Sequence, residues 1–337
     1  MSLDKATADL LEQMAALGDP PLHEQTPEQA REIGAARREQ APPGPLVAVV
    51  RDTTVPVEGG DVPVRILTPK VPGDRSRGVI VWYHGGGWVL GGLDEADPVG
   101  RNLAQRTGYT VVMVDYRLAP EYRYPVAVDD SWAALNWAAE RLPELIEVVP
   151  SDTPPPDDSS IPLLVAGDSA GGNLAAVMAQ RARAAGGPAL AAQVLVYPVT
   201  DCDLDTLSYT DPENQALLTR EGMIWFWDHY VPAPEQRLQP GASPLRAPDL
   251  AGLPPAVVLT AEHDPLRDEG EVYADRLLRA GVPVRRLRAE GQMHGFYTMP
   301  GILPGADAGL DFVASSLEEF LPAPPGDGEP EGSEAVA

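Results

Sequence analysis

Apolar and polar positions along the chain repeat with two different periods, which predicts a sheet covered by helices. Short, almost wholly apolar runs are typical of parallel strands that are buried on both faces. They occupy residues 78–83, 110–115, 161–166, 193–197 and 256–260, and a last strand is predicted at 284–288. Helical periodicity fills much of the chain between them, at residues 126–141, 170–184, 266–280 and 306–320. The pattern predicts an α/β fold with a doubly wound, mostly parallel sheet of about eight strands and helices on both faces.

Two helices and a hairpin precede this alternation. Residues 3–17 place apolar side chains at helical spacing, and a second helix begins after Thr26, which can form a capping box with Gln29. Residues 46–57 and 62–69 follow as segments joined by a hairpin connection, and they predict an antiparallel pair at the sheet edge. Because the two helices lie outside the β–α alternation, they either pack on the core as an extension or form a lid over a site.

A long excursion, residues 201–255, separates two of the predicted core strands. It contains an aromatic-rich helix that Thr219 can cap, and it either adds buried packing or forms a lid. Residues 147–160 are rich in proline, aspartate and serine, which predicts an exposed loop. Residues 322–337 carry prolines, glycines and acids but few apolar side chains, which predicts a disordered tail.

Composition and charge then restrict the function classes. Hydrophobic residues make up 44% of the 337 positions and charged residues 22%, as in ordinary globular proteins, and no apolar run is long enough to span a bilayer. A net charge of −25 would repel nucleic acid and anionic membranes. Salt adaptation and the coding bias of a GC-rich genome both remain open as reasons for this acidity. We expect no nucleic-acid partner and no stable membrane insertion.

The cysteine content and the first residues point to a compartment. The single cysteine, Cys202, excludes an internal disulfide and a cysteine-based metal cluster. The first residues lack the basic and apolar regions of a signal peptide, so we expect a cytoplasmic protein. We expect neither a cofactor nor a metal ion.

The candidate chemistry centres on Ser169, which lies where an apolar run meets a helical stretch. Gly167 and Gly171 stand two positions before and after it, and they allow the sharp strand-to-helix turn that lifts a serine hydroxyl out of a sheet. A helix N-terminus beneath the serine favours developing negative charge. Glycine and serine are also ordinary turn residues, so the position between strand and helix carries the prediction.

A serine nucleophile needs a base and a residue that orients the base. In sheets of this kind the three follow in the chain order Ser, Asp, His, on loops at the carboxyl ends of strands. Asp264 follows the apolar run 256–260, and His294, one of five histidines, lies just beyond the last predicted strand. The nearby acids Glu262, Asp268 and Glu269 are interpreted as a solvated face, and His263 as a solvated or supporting residue.

A second glycine-rich segment follows the apolar run 78–83. Residues 84–88 have the sequence His-Gly-Gly-Gly-Trp. Consecutive glycines let main-chain N–H groups point into a site without a side chain in the way, which an oxyanion hole requires. The alternative interpretation, a flexible turn, does not account for the histidine and tryptophan that bracket the glycines.

Together these motifs resemble those of the hormone-sensitive-lipase-like esterases of the α/β-hydrolase superfamily. The resemblance covers most of residues 40–320 and rests on residues 83–88, 115–121, 167–173, 262–270 and 294–296. It implies an α/β-hydrolase fold with a helical cap formed by the N-terminal helices and the excursion. Residues 115–121 have a structural role in that family.

The resemblance also implies catalytic roles. Ser169 would be the nucleophile, His294 the general base and acid, and Asp264 the residue that orients the imidazole. Hydrolysis would proceed through an acyl-enzyme on short- to medium-chain acyl esters, which are small-molecule substrates.

For the oxyanion, the resemblance implies backbone donors on two segments. They would be the N–H groups of Gly85, Gly86 and Ala170, with His84 and Gly87 supporting the loop.

The expected organisation of the chain has five parts. These are an N-terminal helical cap segment at 1–45, hydrolase core at 46–200, a cap excursion at 201–250, further core at 251–321 and a disordered acidic tail at 322–337. Three other functions remain open: a non-catalytic ligand-binding protein on the same scaffold, a lyase and an amide hydrolase. The sequence also leaves open a homo-oligomer.

Overall fold

The computed structural model describes residues 2–40, 42–72, 74–148 and 160–322, and in them it contains a sheet of eight strands. The strands are β1 Val49–Val57, β2 Gly60–Thr68, β3 Val79–Tyr83, β4 Thr110–Val114, β5 Leu163–Asp168, β6 Ala192–Val196, β7 Ala256–His263 and β8 Val284–Met293. Their order across the sheet is β1-β2-β4-β3-β5-β6-β7-β8. β2 is antiparallel to β1 and β4, and the other pairs are parallel, which confirms the predicted sheet.

Helices cover both faces of this sheet. They are α1 Lys5–Ala16, α2 Pro27–Gln40, α3 Leu93–Thr107, α4 Val126–Ala139, α5 Leu142–Ile146, α6 Ala170–Ala185, α7 Leu207–Thr210, α8 Arg220–Tyr230, α9 Pro234–Arg237, α10 Arg267–Arg279 and α11 Pro304–Phe320. Single 3₁₀ turns occur at Leu22–Glu24, Pro212–Asn214, Pro244–Arg246 and Phe296–Thr298. The sequence pattern did not single out α3, in which Pro98 interrupts the helical signal.

Alternate residues of the central strands enter two different cores. In β3, Val79, Val81 and Tyr83 pack on the face that α4, α6 and α10 cover. Ile80 and Trp82 point to the opposite face, where α3 and α11 pack. Successive strand side chains point to opposite faces, so a strand covered on both faces must be apolar throughout.

Two of the helices begin at the capping side chains that the sequence predicts. The Thr26 N–H donates to Gln29 Oε1 at 3.0 Å, and the Gln29 N–H donates to Thr26 Oγ1 at 3.3 Å. This reciprocal pair is the predicted capping box at the start of α2. Thr219 Oγ1 accepts a hydrogen bond from the Gly222 N–H at 3.0 Å and caps α8.

The predicted edge hairpin is also present, with a tighter turn than expected. Val57 pairs with Gly60, so Glu58 and Gly59 alone connect β1 to β2. Gly59 has a φ of +81°, a left-handed conformation that glycine adopts without steric cost. β1 therefore forms one edge of the sheet, and β8 forms the other.

Some predictions concern residues outside the described ranges. The proposed exposed loop at 147–160 falls there for residues 149–159, and the proposed tail at 322–337 falls there beyond Pro322. Among the described helices, none combines the length and the apolar character needed to cross a bilayer. The described residues also contain no group of three His, Cys, Asp or Glu side chains that could hold a metal ion.

Candidate active site

Ser169 lies at a sharp turn between β5 and α6. Its backbone has φ 56° and ψ −118°, a region that side-chain-bearing residues rarely adopt. A Cβ on Gly167 would lie 2.3 Å from the Gly171 carbonyl oxygen, and one on Gly171 would lie 1.9 Å from the Tyr83 carbonyl oxygen. The turn therefore requires glycine on both sides of the serine, as the sequence predicts.

This crowding predicts that Gly171→Ala destabilises the fold. The added methyl meets main-chain atoms of β3, which cannot move without disturbing the sheet, so we expect a loss of about 2 kcal/mol or more. Urea unfolding measures it. Gly34→Ala is the matched control, because a Cβ there meets open space and alanine is the better helix former. An unfolding free energy of Gly171→Ala equal to that of the wild type would contradict the described turn.

Three side chains from separate strand ends form a hydrogen-bonded chain. His294 Nε2 lies 3.0 Å from Ser169 Oγ, and His294 Nδ1 lies 2.8 Å from Asp264 Oδ2. Asp264 is fully buried, and its other oxygen accepts a hydrogen bond from the Leu266 N–H at 2.9 Å. With the Nδ1 proton donated to Asp264, Nε2 is free to accept the serine proton. The arrangement can activate a serine for nucleophilic attack.

Tyr197, at the end of β6, packs against this chain. Its ring centroid lies 4.5 Å from that of His294 at an angle of 53°, and the residue is fully buried. Burial raises the pKa of Tyr197 well above its usual value, so the phenol stays neutral beside the imidazole. Sequence reasoning assigned Tyr197 to a strand end and missed this contact, which only the fold creates.

The interpretation of the acids near Asp264 as a solvated face was wrong for two of them. Glu262 and Glu269 are 8% and 3% exposed. The Glu262 carboxylate accepts from the Gly291 N–H at 2.7 Å, and Glu269 Oε1 accepts from the Thr200 N–H at 2.6 Å. Their backbone partners come from distant segments, which a local sequence window does not reveal.

The glycine-rich segment after β3 lies beside Ser169, but one predicted donor is engaged elsewhere. The Gly85 N–H donates to Asp168 Oδ1 at 2.9 Å. The prediction that Gly85 supplies an oxyanion donor is therefore wrong for this structure. A carboxylate accepts this hydrogen bond more strongly than a neutral oxygen would, so the Gly85 peptide is held in place.

Asp168 is the residue that the sequence reading overlooked. It directly precedes the serine and is 6% exposed. Burial raises the pKa of its carboxyl to about 6, while the Gly85 N–H and His294 act in the opposite direction. The sequence analysis includes Asp168 only within the turn motif. A carboxylate next to a nucleophile could have marked it as a candidate functional residue.

The remaining N–H groups of the two segments are free of protein acceptors. Among the described residues, no hydrogen bond engages the N–H groups of Gly86, Gly87 or Ala170. Gly86 and Gly87 have φ of +106° and +58°, conformations that favour glycine. Ala170 begins α6, where a helix presents unpaired N–H groups. These donors can receive negative charge from a bound ligand.

His84 fixes the start of this loop. Its Nδ1 lies 2.7 Å from the Gly85 carbonyl oxygen, and the Tyr116 hydroxyl donates to the His84 carbonyl at 2.7 Å. The two rings stack with centroids 4.4 Å apart. Burial lowers the pKa of His84, which favours the neutral ring. These contacts of His84 fix the orientation of the glycine-rich loop.

The excursion helix α8 also packs on this glycine-rich loop. A Cβ on Gly87 would lie 2.1 Å from the Phe226 ring. Trp88 stacks on Tyr230 with centroids 4.3 Å apart and lies 5.0 Å from Trp227. The aromatic helix thus supplies buried packing, as one interpretation of the excursion predicts, and Phe226 also lines a cavity.

The N-terminal helix α2 is tied to the loop by one arginine. Arg31 Nε donates to the Val89 carbonyl at 2.9 Å, and its Nη2 donates to the Ala119 carbonyl at 2.8 Å. The guanidinium also pairs with both carboxylate oxygens of Glu121. A planar fork that engages several oxygens at once fixes α2 against the segment that follows the glycines.

A cavity of about 510 Å³ opens onto Ser169 and His294. The core contributes the polar end, with the glycine-rich loop and the serine. The N-terminal segment and the excursion contribute apolar walls, which include Met14, Ile33 and Met223. Pockets of this size, mostly apolar with a few placed polar groups, are typical of small-molecule sites.

Comparison with known proteins gives a consistent result. A family model described as the alpha/beta hydrolase fold matches residues 80–298. Carboxylesterase NlhH of Mycobacterium tuberculosis is 44% identical over 299 residues, which cover 87% of this chain and 90% of that protein. Ethyl acetate hydrolase of Pseudomonas putida is 37% identical over 268 residues, which cover 78% of this chain and 80% of that protein.

A solved structure shows the same similarity in three dimensions. The ester hydrolase EH1AB1 from the metagenome of Lake Arreo, complexed with a derivative of bipyridine phosphonate, superposes with a TM-score of 0.86. It is 33% identical in sequence, and the match covers 95% of this chain and all of that chain.

Proposed function

The chain belongs to the α/β-hydrolase fold family, in its hormone-sensitive-lipase-like branch, and is a carboxylic ester hydrolase; on that premise we propose that it cleaves short- to medium-chain acyl esters through an acyl-enzyme on Ser169. The observation that carries the proposal is the hydrogen-bonded chain from Asp264 through His294 to Ser169, open to an apolar cavity.

In the first half-reaction Ser169 attacks the ester carbonyl carbon. His294 Nε2 takes the hydroxyl proton as the bond from Oγ to carbon forms, and the carbonyl electrons move to its oxygen. Asp264 holds the Nδ1 proton and stabilises the imidazolium. When the tetrahedral intermediate collapses, the imidazolium gives its proton to the departing alkoxide, and the acyl group stays on the serine.

The negative oxygen of that intermediate needs donors that are already in place. We assign them to the N–H groups of Gly86, Gly87 and Ala170, which have no protein acceptor among the described residues. Gly85 instead holds the loop through Asp168. Donors fixed before the reaction stabilise developing charge without reorganisation, which is where oxyanion holes obtain their effect.

In the second half-reaction water replaces the alcohol. His294 Nε2 removes a proton from the water as its oxygen attacks the acyl carbon, and it then returns the proton to Ser169 Oγ as the carboxylic acid leaves. The two cap segments form apolar walls of the cavity that opens onto Ser169 and His294.

The proposal differs from its alternatives in specific residues. A non-catalytic binding protein does not need His294, and a lyase on this scaffold does not need Ser169, yet both are present and aligned. Amide hydrolysis uses the same groups. Comparison of an ester with its isosteric amide separates these activities, and we expect the ester to react far faster because alkoxide leaves more easily than amine. The lone cysteine and the strong negative charge also favour a cytoplasmic enzyme that does not bind nucleic acid.

Acyl-chain length is the second testable part of the proposal. We expect kcat/KM for p-nitrophenyl esters to rise from acetate to butyrate or octanoate and to fall for palmitate. Each added methylene gains roughly 0.8 kcal/mol of apolar burial until the cavity is full, after which the chain must leave it. Initial rates across the series measure this dependence.

A variant of the cavity wall sharpens the test. Met223→Ala removes a side chain that lines the cavity, so the preferred acyl chain should become longer. Met178→Ala is the matched control, because Met178 is fully buried in α6 outside the cavity. It should lower stability and leave the preference unchanged. A preference for palmitate in the wild type would contradict the proposed substrate class.

A further inference from the structure

The strand that leads to His294 is irregular just before its end. Ala261 of β7 pairs with Ala289 of β8, and His263 pairs with Met293, so one residue of β7 lies opposite three of β8. The three residues 290–292 form a bulge, in which Gly291 has a φ of +68°. Bulges next to active sites redirect the side chains that follow. The conformation of this bulge therefore sets where the His294 imidazole lies.

The Gly291 residue is bound on both sides. Its N–H donates to Glu262 on β7 at 2.7 Å, and its carbonyl accepts from the Asp4 N–H at 3.0 Å. A Cβ on Gly291 would lie 2.9 Å from the Asp4 nitrogen, so the N-terminal segment packs directly on the bulge. The bulge is thus held between the sheet and the start of α1.

Asp4 also contacts the next residue of the bulge through its side chain. Asp4 Oδ1 accepts from the Thr7 N–H at 2.8 Å and caps α1, while Asp4 Oδ2 accepts a hydrogen bond from Gln292 Nε2. Gln292 is only 4% exposed. A Cβ on Gly305, at the start of α11, would lie 2.2 Å from Gln292 Oε1, so α11 confines the amide from the other side.

We propose that Asp4 and Gln292 are positioning residues for His294, which couple helix α1 to the bulge that carries the base. The inference rests on the proposed role of His294 as general base. Capping α1 needs only one oxygen of Asp4, and the second oxygen is used on the bulge. α1 also carries Met14, which lines the cavity, so one helix contacts both the substrate space and the support of the base.

The coupling has a defined consequence for catalysis. When the bulge is held, His294 Nε2 stays within hydrogen-bond distance of Ser169 Oγ. Without the Asp4–Gln292 contact the bulge gains alternative conformations, and the imidazole spends part of its time out of line. Small misplacements of a catalytic group lower the chemical step steeply. The effect should therefore appear in kcat.

The test separates this role from helix capping. Asp4→Ser keeps a good capping residue but is too short to reach Gln292. Gln292→Met removes the same contact from the other side, together with the hydrogen bond that Thr7 Oγ1 donates to Gln292 Oε1 at 3.5 Å. We expect each variant to lower kcat for p-nitrophenyl butyrate roughly tenfold, with KM changed by less than about twofold. The double variant should be no slower than Gln292→Met alone, because the Asp4–Gln292 interaction that Asp4→Ser removes is already absent in Gln292→Met.

The matched control lies on the same helix. Asp9→Ala removes an exposed ion pair with Lys5 and leaves the bulge untouched, so its kcat should equal that of the wild type. Rates are normalised to the folded fraction measured by near-ultraviolet circular dichroism, so a partly unfolded variant remains informative.

Three results would overturn the inference. They are an unchanged kcat in both single variants, a rise in KM without a fall in kcat, which indicates a loosened cavity wall, and fully additive losses in the double variant. Labelling of wild-type Ser169 by a fluorophosphonate tests the proposed function separately. Labelled wild type with unaffected variants would reject only the role of Asp4 and Gln292.

Discussion

Ser169→Ala should abolish ester hydrolysis, with kcat falling on the order of 10⁴- to 10⁶-fold. The substitution removes the hydroxyl that we propose forms the acyl-enzyme, while the proposed oxyanion donors and the cavity remain. The small rate that is left reflects binding and oxyanion stabilisation without a nucleophile. Steady-state hydrolysis of p-nitrophenyl butyrate measures the loss, and the burst of p-nitrophenol seen with an acylating serine should disappear.

Ser315→Ala is the control for this experiment. Ser315 is exposed on α11, and its hydroxyl donates to the nearby Phe312 carbonyl at 3.0 Å. The kcat of Ser315→Ala should equal that of the wild type. Ser169→Ala should bind substrate with little change, because alanine keeps the turn and the cavity walls. Wild-type turnover by Ser169→Ala would exclude the assigned nucleophile.

His294→Ala should reduce kcat by a similar factor. The substitution removes the imidazole that lies within hydrogen-bond distance of Ser169 Oγ, and with it the group that we propose as base for the serine and acid for the leaving alcohol. The effects of members of one catalytic unit are not additive, so the Ser169→Ala, His294→Ala double variant should be no slower than either single variant. Added imidazole should restore part of the activity, because it can occupy the space of the missing ring.

The control for the base is another histidine of the chain. His23 is exposed on the 3₁₀ turn between α1 and α2, and His23→Ala should retain full activity. Full activity of His294→Ala, with or without imidazole, would contradict its role. A rate that imidazole does not change would instead point to a positioning function of the ring.

Much of the fold could be predicted from the sequence because its signals are local. The central strands are apolar on both faces, so their runs stand out without any knowledge of their neighbours. The capping box of Thr26 and Gln29 spans only four residues. Helix α3 was missed because Pro98 breaks the local pattern, while its buried residues and its contacts with α11 keep it helical.

The site divides in the same way between local and tertiary information. Chain order and strand ends were enough to select Ser169, Asp264 and His294, and in the structure the serine and the aspartate each lie within hydrogen-bond distance of the histidine. The sequence predicts a free Gly85 N–H, whereas in the structure this group donates to Asp168 Oδ1. Which N–H groups remain free depends on the Asp168 carboxylate, which lies 83 residues from Gly85 in the chain. No local window contains that information.

The contacts around the glycine-rich loop connect the two cap segments to the proposed catalytic step as well as to substrate selectivity. Phe226 of α8 packs over Gly87, and Arg31 of α2 binds the segment just beyond it. The excursion therefore touches the loop that we assign to the oxyanion, and the N-terminal segment binds the residue directly after that loop. A change in either segment should alter kcat together with substrate preference, since preorganised donors lose effect when their loop is free to move.

The most direct test of the account is covalent labelling with a fluorophosphonate, which reacts with a serine that a neighbouring base activates. After complete reaction, digestion and mass spectrometry identify the modified residue. We expect one phosphonyl group per chain, on Ser169, and no label on Ser169→Ala. Label on another serine, or no label on an active wild-type enzyme, would contradict the central claim that Ser169 is the nucleophile.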